Sequence, residues 1–490
     1  MPRAWDMVID LDRDATQPLV LQIARAVATD IQRGRLRPGD RLPGSRKLAD
    51  ALDVHRNTVL AALAELIAEG WIETTPGQGT FIARTIPDDR GRPFSRRLGT
   101  RVKVPLQVPF VLPKVPDAYR PPVLPPGTLN LSNGAPDIRL VPMRSLGRAY
   151  RRVMAQRGVE LLGYGDPEGH PALRSALASV LASTRGLAVT AEDVFVTRGS
   201  QMALALVARA LVSPGDVVAV EQVGYRPAWE AFRSAGATVV PIPIDGDGLD
   251  VEALRKVATR TPLRAICVTP HHQYPTTVTL KAARRLALLA LARAHRIAIV
   301  EDDYDHEFHY DGRPVLPLAS ADDTGLVVYI GTLSKILAPS LRIGYIVASA
   351  AVLKSVGAIR SLFDIQGDLA TEAAIATLID DGELQRHVAR VRRVYANRRA
   401  ILADSLRRTL GDRVDFTVAP GGMALWVRLH TSLDVETWAR RSLERRVFWY
   451  TGRRYAFDAR PIPFARFSFA SLNERELPEA VNRMAAAARP

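Results

Sequence analysis

The 490-residue chain has one cysteine, Cys267, only seven lysines and an aromatic content of 6%. A single thiol excludes an internal disulfide and a cysteine-built metal site. No apolar run approaches the roughly 20 residues that a membrane-crossing helix requires. The opening residues, Met1-Pro2-Arg3-Ala4-Trp5-Asp6, lack the apolar stretch of a secretory leader and soon turn acidic. The expected setting is the cytoplasm, with no membrane partner. The scarcity of lysine is the most useful absence. Lys47, Lys103, Lys114, Lys256, Lys281, Lys335 and Lys354 stand against 59 arginines, so chemistry that needs a lysine amine has few candidates.

What is present is arginine-rich positive charge. The net charge of +15 suggests a polyanionic partner. Its location qualifies that suggestion. Residues 1–85 are balanced, with 11 basic and 11 acidic side chains, whereas 33–60 holds seven basic to three acidic. That local cluster is compatible with DNA, or with a solvated basic face. The chain length points to more than one domain, each large enough for its own core.

Three segments are expected: a helical unit over 15–84, a basic proline-rich linker over 85–127, and an α/β domain over 128–488. In the first, Leu19, Ile23, Val27 and Ile31 recur every four residues and mark one helix face. Arg37-Pro38-Gly39-Asp40 breaks the chain, and Ser45 is placed to cap a short helix ending near Leu52. A turn at Asp53-Val54-His55 leads to a helix over Arg56–Glu69 expected to bury Val59, Leu63, Leu66 and Ile67. Two short strands around Pro76-Gly77-Gln78-Gly79 complete a winged helix-turn-helix. From Pro87 to Pro126 there are ten prolines, together with Arg90, Arg92, Arg96, Arg97, Arg101 and Lys103. This segment reads as an extended spacer, kept soluble by its charge or lending phosphate contacts. Beyond residue 128, apolar runs at 194–196, 217–220, 265–268, 297–300 and 327–330 alternate with helical stretches. Such runs belong to a largely parallel sheet buried on both faces.

The second helix of a helix-turn-helix presents its N-terminal residues to base edges in the major groove. Here that end is His55-Arg56-Asn57-Thr58. Arginine suits guanine and asparagine suits adenine. Ser45, Arg46, Lys47 and Thr58 suit phosphate oxygens, and Gln78 sits at a small-residue wing tip. Helix capping is the plainer role for Ser45 and Thr58. The stretch resembles the GntR family of winged-helix regulators through Pro38-Gly39-Asp40-Arg41-Leu42-Pro43, Ser45-Arg46-Lys47-Leu48-Ala49, Arg56-Asn57-Thr58-Val59, and Gly70-Trp71 with Gly77-Gln78-Gly79-Thr80-Phe81. The resemblance implies double-stranded DNA as a partner. A winged helix kept only as a protein contact is the alternative.

In the α/β region, Lys335 follows an apolar strand in Gly331-Thr332-Leu333-Ser334-Lys335, where open α/β sheets place their ligands. Glu301-Asp302-Asp303-Tyr304-Asp305 follows another strand. Carboxylates there are costly unless paired or functional. They suit a protonated pyridine nitrogen, an exposed acidic loop or a metal, but with no cysteine and no well-spaced histidine pair a transition-metal site is not expected. Gly199-Ser200-Gln201 opens a helix and can bind an anion, with Thr332 and Arg342 beside Lys335 to close a phosphate cup.

Together with Tyr164-Gly165-Asp166-Pro167-Glu168-Gly169 and Arg342-Ile343-Gly344-Tyr345, these stretches resemble fold-type I aminotransferases. The whole of 17–485 is similar to the MocR/GabR-type regulators, which join a GntR winged helix to such a domain. The resemblance implies a mostly parallel-sheet domain with a smaller C-terminal α+β subdomain, pyridoxal 5′-phosphate as cofactor, and a homodimer. It implies that Lys335 forms the internal aldimine, Asp302 pairs with the pyridine nitrogen, and Tyr304 contacts the ring hydroxyl. By the same resemblance Ser200, Gln201, Thr332 and Arg342 hold the phosphate, Tyr225 stacks on the ring, and Tyr164 reaches the partner's phosphate. Arg466, in Arg466-Phe467-Ser468-Phe469-Ala470, would bind a ligand carboxylate, and His272 would line the ligand pocket or serve the structure alone. Two departures stand out: Gln222-Val223-Gly224 lacks a proline before Tyr225, and Pro275-Thr276-Thr277 replaces Pro-Thr-Gly. The implied function is a regulator sensing an amine, an amino acid or pyridoxal phosphate itself through external aldimine formation at Lys335. A working aminotransferase with an accessory DNA-binding domain is the alternative, and a lyase or racemase a third reading.

Overall fold

The four-residue apolar spacing near the N-terminus forms α1 (Leu19–Gln32), which buries Ile23, Val27 and Ile31. The structure, a computed structural model, describes residues 9–13, 15, 17–86, 110–112, 122–132, 134–312, 314–430 and 434–488. The chain divides into two compact units, Met1–Lys114 and Val115–Pro490. The basic positions of the linker, Arg90 to Lys103, lie outside the described residues.

In the first unit, α1 is followed by α2 (Ser45–Leu52), α3 (Arg56–Ala68), β1 (Ile72–Thr75) and β2 (Gly79–Ile82). The strands pair antiparallel, with Ile72 opposite Ile82. Asp53 makes the corner between α2 and α3 at φ 49, a left-handed conformation that a short polar side chain tolerates. Three expectations are corrected here. Gly44 occupies the N-cap of α2, so Ser45 is already its first helical residue. His55 caps α3 by accepting from the Asn57 N–H, which leaves Thr58 inside the helix. Ile67 is 44% exposed, while Val59, Ala62, Leu63 and Leu66 are buried. One residue beyond Leu66 lies about 100° further round the helix and leaves the core face.

The second unit begins with β3 (Leu129–Asn130), α4 (Met143–Leu161), α5 (Pro171–Arg185), β4 (Val194–Thr197), α6 (Ser200–Leu211), β5 (Val217–Glu221), α7 (Arg226–Ser234) and β6 (Thr238–Ile242). Then come β7 (Ile244–Asp245), β8 (Gly248–Leu249), α8 (Val251–Ala258), β9 (Leu263–Val268), α9 (Ala282–His295), β10 (Ala298–Asp303), β11 (Val327–Thr332) and β12 (Gly344–Val347). The C-terminal part holds α10 (Ala350–Arg360), α11 (Leu369–Asp380), α12 (Glu383–Leu410), β13 (Val414–Asp415), β14 (Ala424–Leu429), α13 (Val435–Glu444), β15 (Val447–Phe448), β16 (Phe464–Ser468) and α14 (Glu476–Ala487).

The central sheet has seven strands in the order β4-β12-β11-β10-β9-β5-β6. Only β12 runs against its neighbours, pairing antiparallel with both β11 and β4. Side chains alternate between the two faces. Val300 and Cys267 pack with Leu204, Trp229 and Phe232, whereas Ile299 and Ile266 pack with Leu254, Leu288 and Leu291. Both faces are thus dry, and this is why the strands read as continuous apolar runs. A smaller antiparallel sheet, β13-β14-β16, shares a separate core with Tyr395, Leu402, Trp438 and Val481. The architecture is α/β, with the expected smaller C-terminal subdomain.

Two strand ends extend further than expected. β10 runs through Glu301, Asp302 and Asp303, pairing Asp302 with Ile330 and Asp303 with Gly331. β11 likewise includes Gly331 and Thr332. The carboxylates therefore stand on the sheet rather than in a loop beyond it. Strands β6 and β12 were not expected. β6 contains Pro241 and lies at the sheet edge, where a residue lacking an N–H is tolerated.

Candidate cofactor and nucleic-acid sites

The three consecutive carboxylates at the end of β10 have different surroundings. Glu301 is fully buried and accepts from the Leu318 and Ala319 N–H groups at 2.7 and 2.9 Å. Asp303 accepts from the Tyr329 hydroxyl at 2.6 Å, lies 3.1 Å from His306 and 3.9 Å from Arg185. Burial works against its charge, but His306 and Arg185 beside it hold its carboxyl far below the usual range. Asp302 is 6% exposed, and its Oδ1 takes no hydrogen bond from the described residues. Burial, reinforced by Asp303, pushes its carboxyl up to about 7 against the pull of Lys335. A buried carboxylate oxygen with no donor is costly. A cationic N–H presented to it would remove that cost.

Lys335 lies three residues beyond β11, and its Nζ donates to the Gly134 carbonyl at 2.8 Å. Burial, then the Arg466 guanidinium, lowers its ammonium to about 8. Arg466 sits on β16, paired with Trp426, and is 2% exposed. Its guanidinium lies 5.0 Å from the Tyr274 ring centre, and its Nε is without a partner among the described residues. Gly134 is where the two cations meet: a Cβ there would be 3.7 Å from both Lys335 Nζ and an Arg466 nitrogen. Sequence reasoning did not single out Gly134 or Tyr274. The Tyr274 ring packs edge-on against Tyr225, Tyr304 and Tyr455. Tyr304 donates its hydroxyl to the His272 carbonyl at 2.9 Å.

A second group gathers at the N-terminus of α6. Gly199 takes the N-cap at φ 77 with Ser200 and Gln201 next in the helix. A Cβ on Gly199 would lie 3.0 Å from the Arg342 guanidinium, and Arg342 donates to the Arg198 carbonyl at 2.7 Å. Gly344, the first residue of β12, runs so close that a Cβ would come within 2.5 Å of the Gly199 backbone. Thr332 donates to the Ile343 carbonyl at 3.1 Å. Free N–H groups at a helix start, backed by a guanidinium, suit a dianion. Tyr164 stands apart from both groups, 88% exposed. Around it Val159, Leu162, Leu362, Phe363 and Ile365 are also exposed, and Gln366 accepts from the Gly165 N–H.

His272 is fully buried, with Nδ1 2.8 Å from Asp305 Oδ1; its backbone carbonyl, not its ring, is what Tyr304 touches. No histidine pair with metal-ligand spacing stands out in the sequence, but the fold brings three histidines together. Ligand nitrogens of His271, His272 and His309 all lie within 4.8 Å of one another. The linear spacing hid this, because the pairs 271–272 and 306–309 leave different strands that become neighbours only in the sheet.

In the first unit, Arg46, Lys47, Arg56, Asn57 and Gln78 are exposed, and Ser45 and Thr58 are half-buried. Arg56 Nε donates to Ser45 Oγ at 3.3 Å, tying the start of α3 to the start of α2. Arg41 was missed as a candidate. It is exposed and lies against the wing tip, 2.9 Å from where a Gly79 Cβ would stand.

Among known families, aminotransferase class I and II matches residues 126–484, and bacterial regulatory proteins, gntR family, matches residues 19–82. The chain is 33% identical over 487 residues to the "Probable rhizopine catabolism regulatory protein MocR" of Rhizobium meliloti, covering 97% of this chain and 95% of that protein. It is 32% identical over 421 residues to the HTH-type pyridoxine biosynthesis transcriptional regulator PdxR of Corynebacterium glutamicum, covering 85% of each. Among solved structures, the α-aminoadipate aminotransferase LysN of Thermus thermophilus, complexed with N-(5′-phosphopyridoxyl)-L-leucine, is similar with a TM-score of 0.69. Identity there is 28%, over 74% of this chain and 92% of that one.

Proposed function

The chain belongs to the MocR-type transcription regulators, in which a gntR-family helix-turn-helix is joined to an aminotransferase class I and II domain, and from that premise we propose that it senses a small amine through pyridoxal phosphate held at Lys335. The observation that carries this reading is the convergence of Lys335, Arg466 and the unpartnered Asp302 oxygen in one buried site of a chain that also exposes Arg56 and Asn57 at a helix start.

The residues present fit the cofactor. Asp302 would hold the pyridine nitrogen in its protonated form, and Ser200, Gln201, Thr332 and Arg342 would take the phosphate. Tyr225 would pack on the ring face and Tyr304 would turn its hydroxyl to the ring oxygen. Bound there, pyridoxal phosphate supplies an electrophilic carbon conjugated to an electron-withdrawing ring. Lys335 would be the residue that holds that carbon, and its lowered affinity for protons leaves more of it unprotonated near neutral pH. With an amine ligand bound in its place, Lys335 would be the group released from the cofactor and free to move. Arg466 clamps the ligand's carboxylate bidentately. Breaking the Lys335 contact and making the Arg466 contact favours one arrangement of the domain over another, and that differential affinity is what can change DNA binding. The exposed apolar surface around Tyr164 supports a homodimer, which would match two half-sites on DNA.

Retained transamination is a second reading, favoured by the low proton affinity of Lys335 beside a carboxylate-binding arginine. One gel-shift experiment separates the two. DNA upstream of the chain's own gene is tested with and without pyridoxal phosphate and a panel of amino acids and amines. Specific binding that changes with cofactor or amine is expected. No specific binding, together with rapid amino transfer to a keto acid, would overturn the regulator reading.

A further inference from the structure

Strands β9 and β10 lie side by side and parallel, so the segments leaving their C-terminal ends meet. One carries His271 and His272; the other carries His306 and His309. Four of the chain's nine histidines are thereby brought together. The His271 ring centre is 4.2 Å from His272, 4.6 Å from His306 and 6.0 Å from His309.

Several ring nitrogens of this cluster have no hydrogen bond among the described residues. His271 is 4% exposed, and neither of its ring nitrogens has a hydrogen bond among the described residues. His272 Nε2 and His309 Nδ1 are in the same condition. Burying such groups unpaired is unfavourable. A ring nitrogen without a hydrogen bond is the atom through which histidine binds a metal.

Two further observations point to a cation. Asp305 holds His272 Nδ1 at 2.8 Å and so leaves Nε2 as the free donor, the usual arrangement behind a metal-bound histidine. Asp303 Oδ1 and Asp305 Oδ2 are buried with no hydrogen bond among the described residues and would offset a dication's charge.

We propose that His271, His272 and His309 form a binding site for a divalent first-row transition ion of the zinc type. Three imidazoles select such ions over magnesium and calcium, which prefer oxygen. The present nitrogen separations, up to 4.8 Å, must close to about 3.3 Å for tetrahedral binding, a change within reach of side-chain rotation. Three protein ligands leave a fourth position for water or an anion. The ion would fasten the 271–272 segment to the 306–309 segment. Tyr304 bonds to the first of these through the His272 carbonyl, so metal and cofactor sites share a wall.

Metal content tests this without reference to the cofactor or to activity. Full-length protein is stripped with a chelator, freed of it, and titrated with zinc, and separately with cobalt for its visible bands. We expect about one ion per chain with a Kd of about 1 µM or tighter, a raised melting temperature, and tetrahedral cobalt absorption. His271→Ala and His309→Gln should abolish binding, and Asp305→Asn should weaken it about 10- to 100-fold. Changing the exposed His295 and His430 to glutamine should leave it intact. His309 is only half-buried, so His309→Gln tests the site even where His271→Ala fails to fold. A folded, stripped wild-type protein that takes up no zinc at tens of micromolar would overturn the proposal. So would unchanged binding in His309→Gln.

Discussion

The functional side chains of the two units differ in how they are held. In the first unit Arg46, Lys47, Arg56 and Asn57 project into solvent, and Arg56 is tied to the fold by a hydrogen bond to Ser45. In the second, Lys335, Asp302 and Arg466 are enclosed, and each alters the charge state of another. Water already solvates an exposed guanidinium, so keeping it ready for DNA costs the fold almost nothing. A carboxylate without a donor on a buried strand end costs stability in proportion to its enclosure. Substitutions in the first unit should therefore alter binding alone, and those in the second should alter binding and stability together.

The largest expected effect is at Lys335. Lys335→Ala should retain no cofactor that borohydride can fix to the protein, and mass spectrometry of the reduced chain reads this directly. Trapped cofactor in that variant would remove Lys335 from its proposed role. Asp302→Asn comes next and should act in two opposite directions. Removing the charge takes away a buried, unpartnered carboxylate, so the cofactor-free protein should melt at a higher temperature. The same change should weaken pyridoxal phosphate binding about 10- to 100-fold, the worth of one charged hydrogen bond. A variant that melts lower without cofactor would mean that Asp302 already has a stabilising partner.

In the first unit the pattern should be simpler. Arg56→Ala or Asn57→Ala should cost about 1–3 kcal/mol of specific DNA binding and relax preference at one base position. Lys47→Ala should weaken binding to all sequences alike and reduce the salt slope by about 1. The melting temperature should barely move in any of these, since exposed substitutions typically stay within about 0.5 kcal/mol. If Arg56→Ala destabilised the unit strongly, its bond to Ser45 would be structural and the contrast between units would fail.

A smaller effect concerns pH. Lys335 loses its proton near pH 8 rather than 10.5. Below that pH the ammonium has no lone pair, so the rate of pyridoxal phosphate capture should rise with pH and level off above about 8. Arg466→Gln removes a neighbouring cation, which favours the charged lysine and should move the midpoint upward. The initial rate of absorbance change on adding cofactor measures both. A midpoint that stays in place would remove Arg466 from the electrostatics of Lys335.

The fold was legible where one physical rule dominated. Strands buried on both faces must be apolar throughout, so β4, β5, β9, β10 and β11 stood out as runs. Their ends did not, because Glu301 to Asp303 look like loop residues until their backbone is seen to pair with β11. Strand β12 was hidden by Gly344, which interrupts its apolar run, and β6 by Pro241. Capping was misread for a different reason: Ser45 and Thr58 are good caps by type, but Gly44 and His55 hold the cap positions. Within the site, the motifs around Lys335 and Asp302 lie in contiguous stretches and could be read directly. Gly134 could not, since its role is to bring a carbonyl to Lys335 from 201 residues away. The histidines depended in the same way on two strands being neighbours.

Backbone conformation gives the smallest and most exacting test. Both units contain a non-glycine residue in the left-handed region, Asp53 at φ 49 and Thr277 at φ 63. Asp53 is exposed and short, a type that accepts this conformation. Thr277 is β-branched and 4% exposed, at the position where the resemblance leads one to expect glycine. Holding it there costs about 1–2 kcal/mol, while its buried methyl returns about 0.8 kcal/mol. Thr277→Gly removes both terms and should change stability by less than about 1 kcal/mol. Thr277→Ala removes the methyl but keeps a Cβ at the same φ, so it should be less stable than Thr277→Gly by about 1 kcal/mol. Denaturant melts of the two variants give that order. An alanine variant as stable as the glycine variant would mean that the backbone at 277 relaxes out of the left-handed region once the threonine is gone.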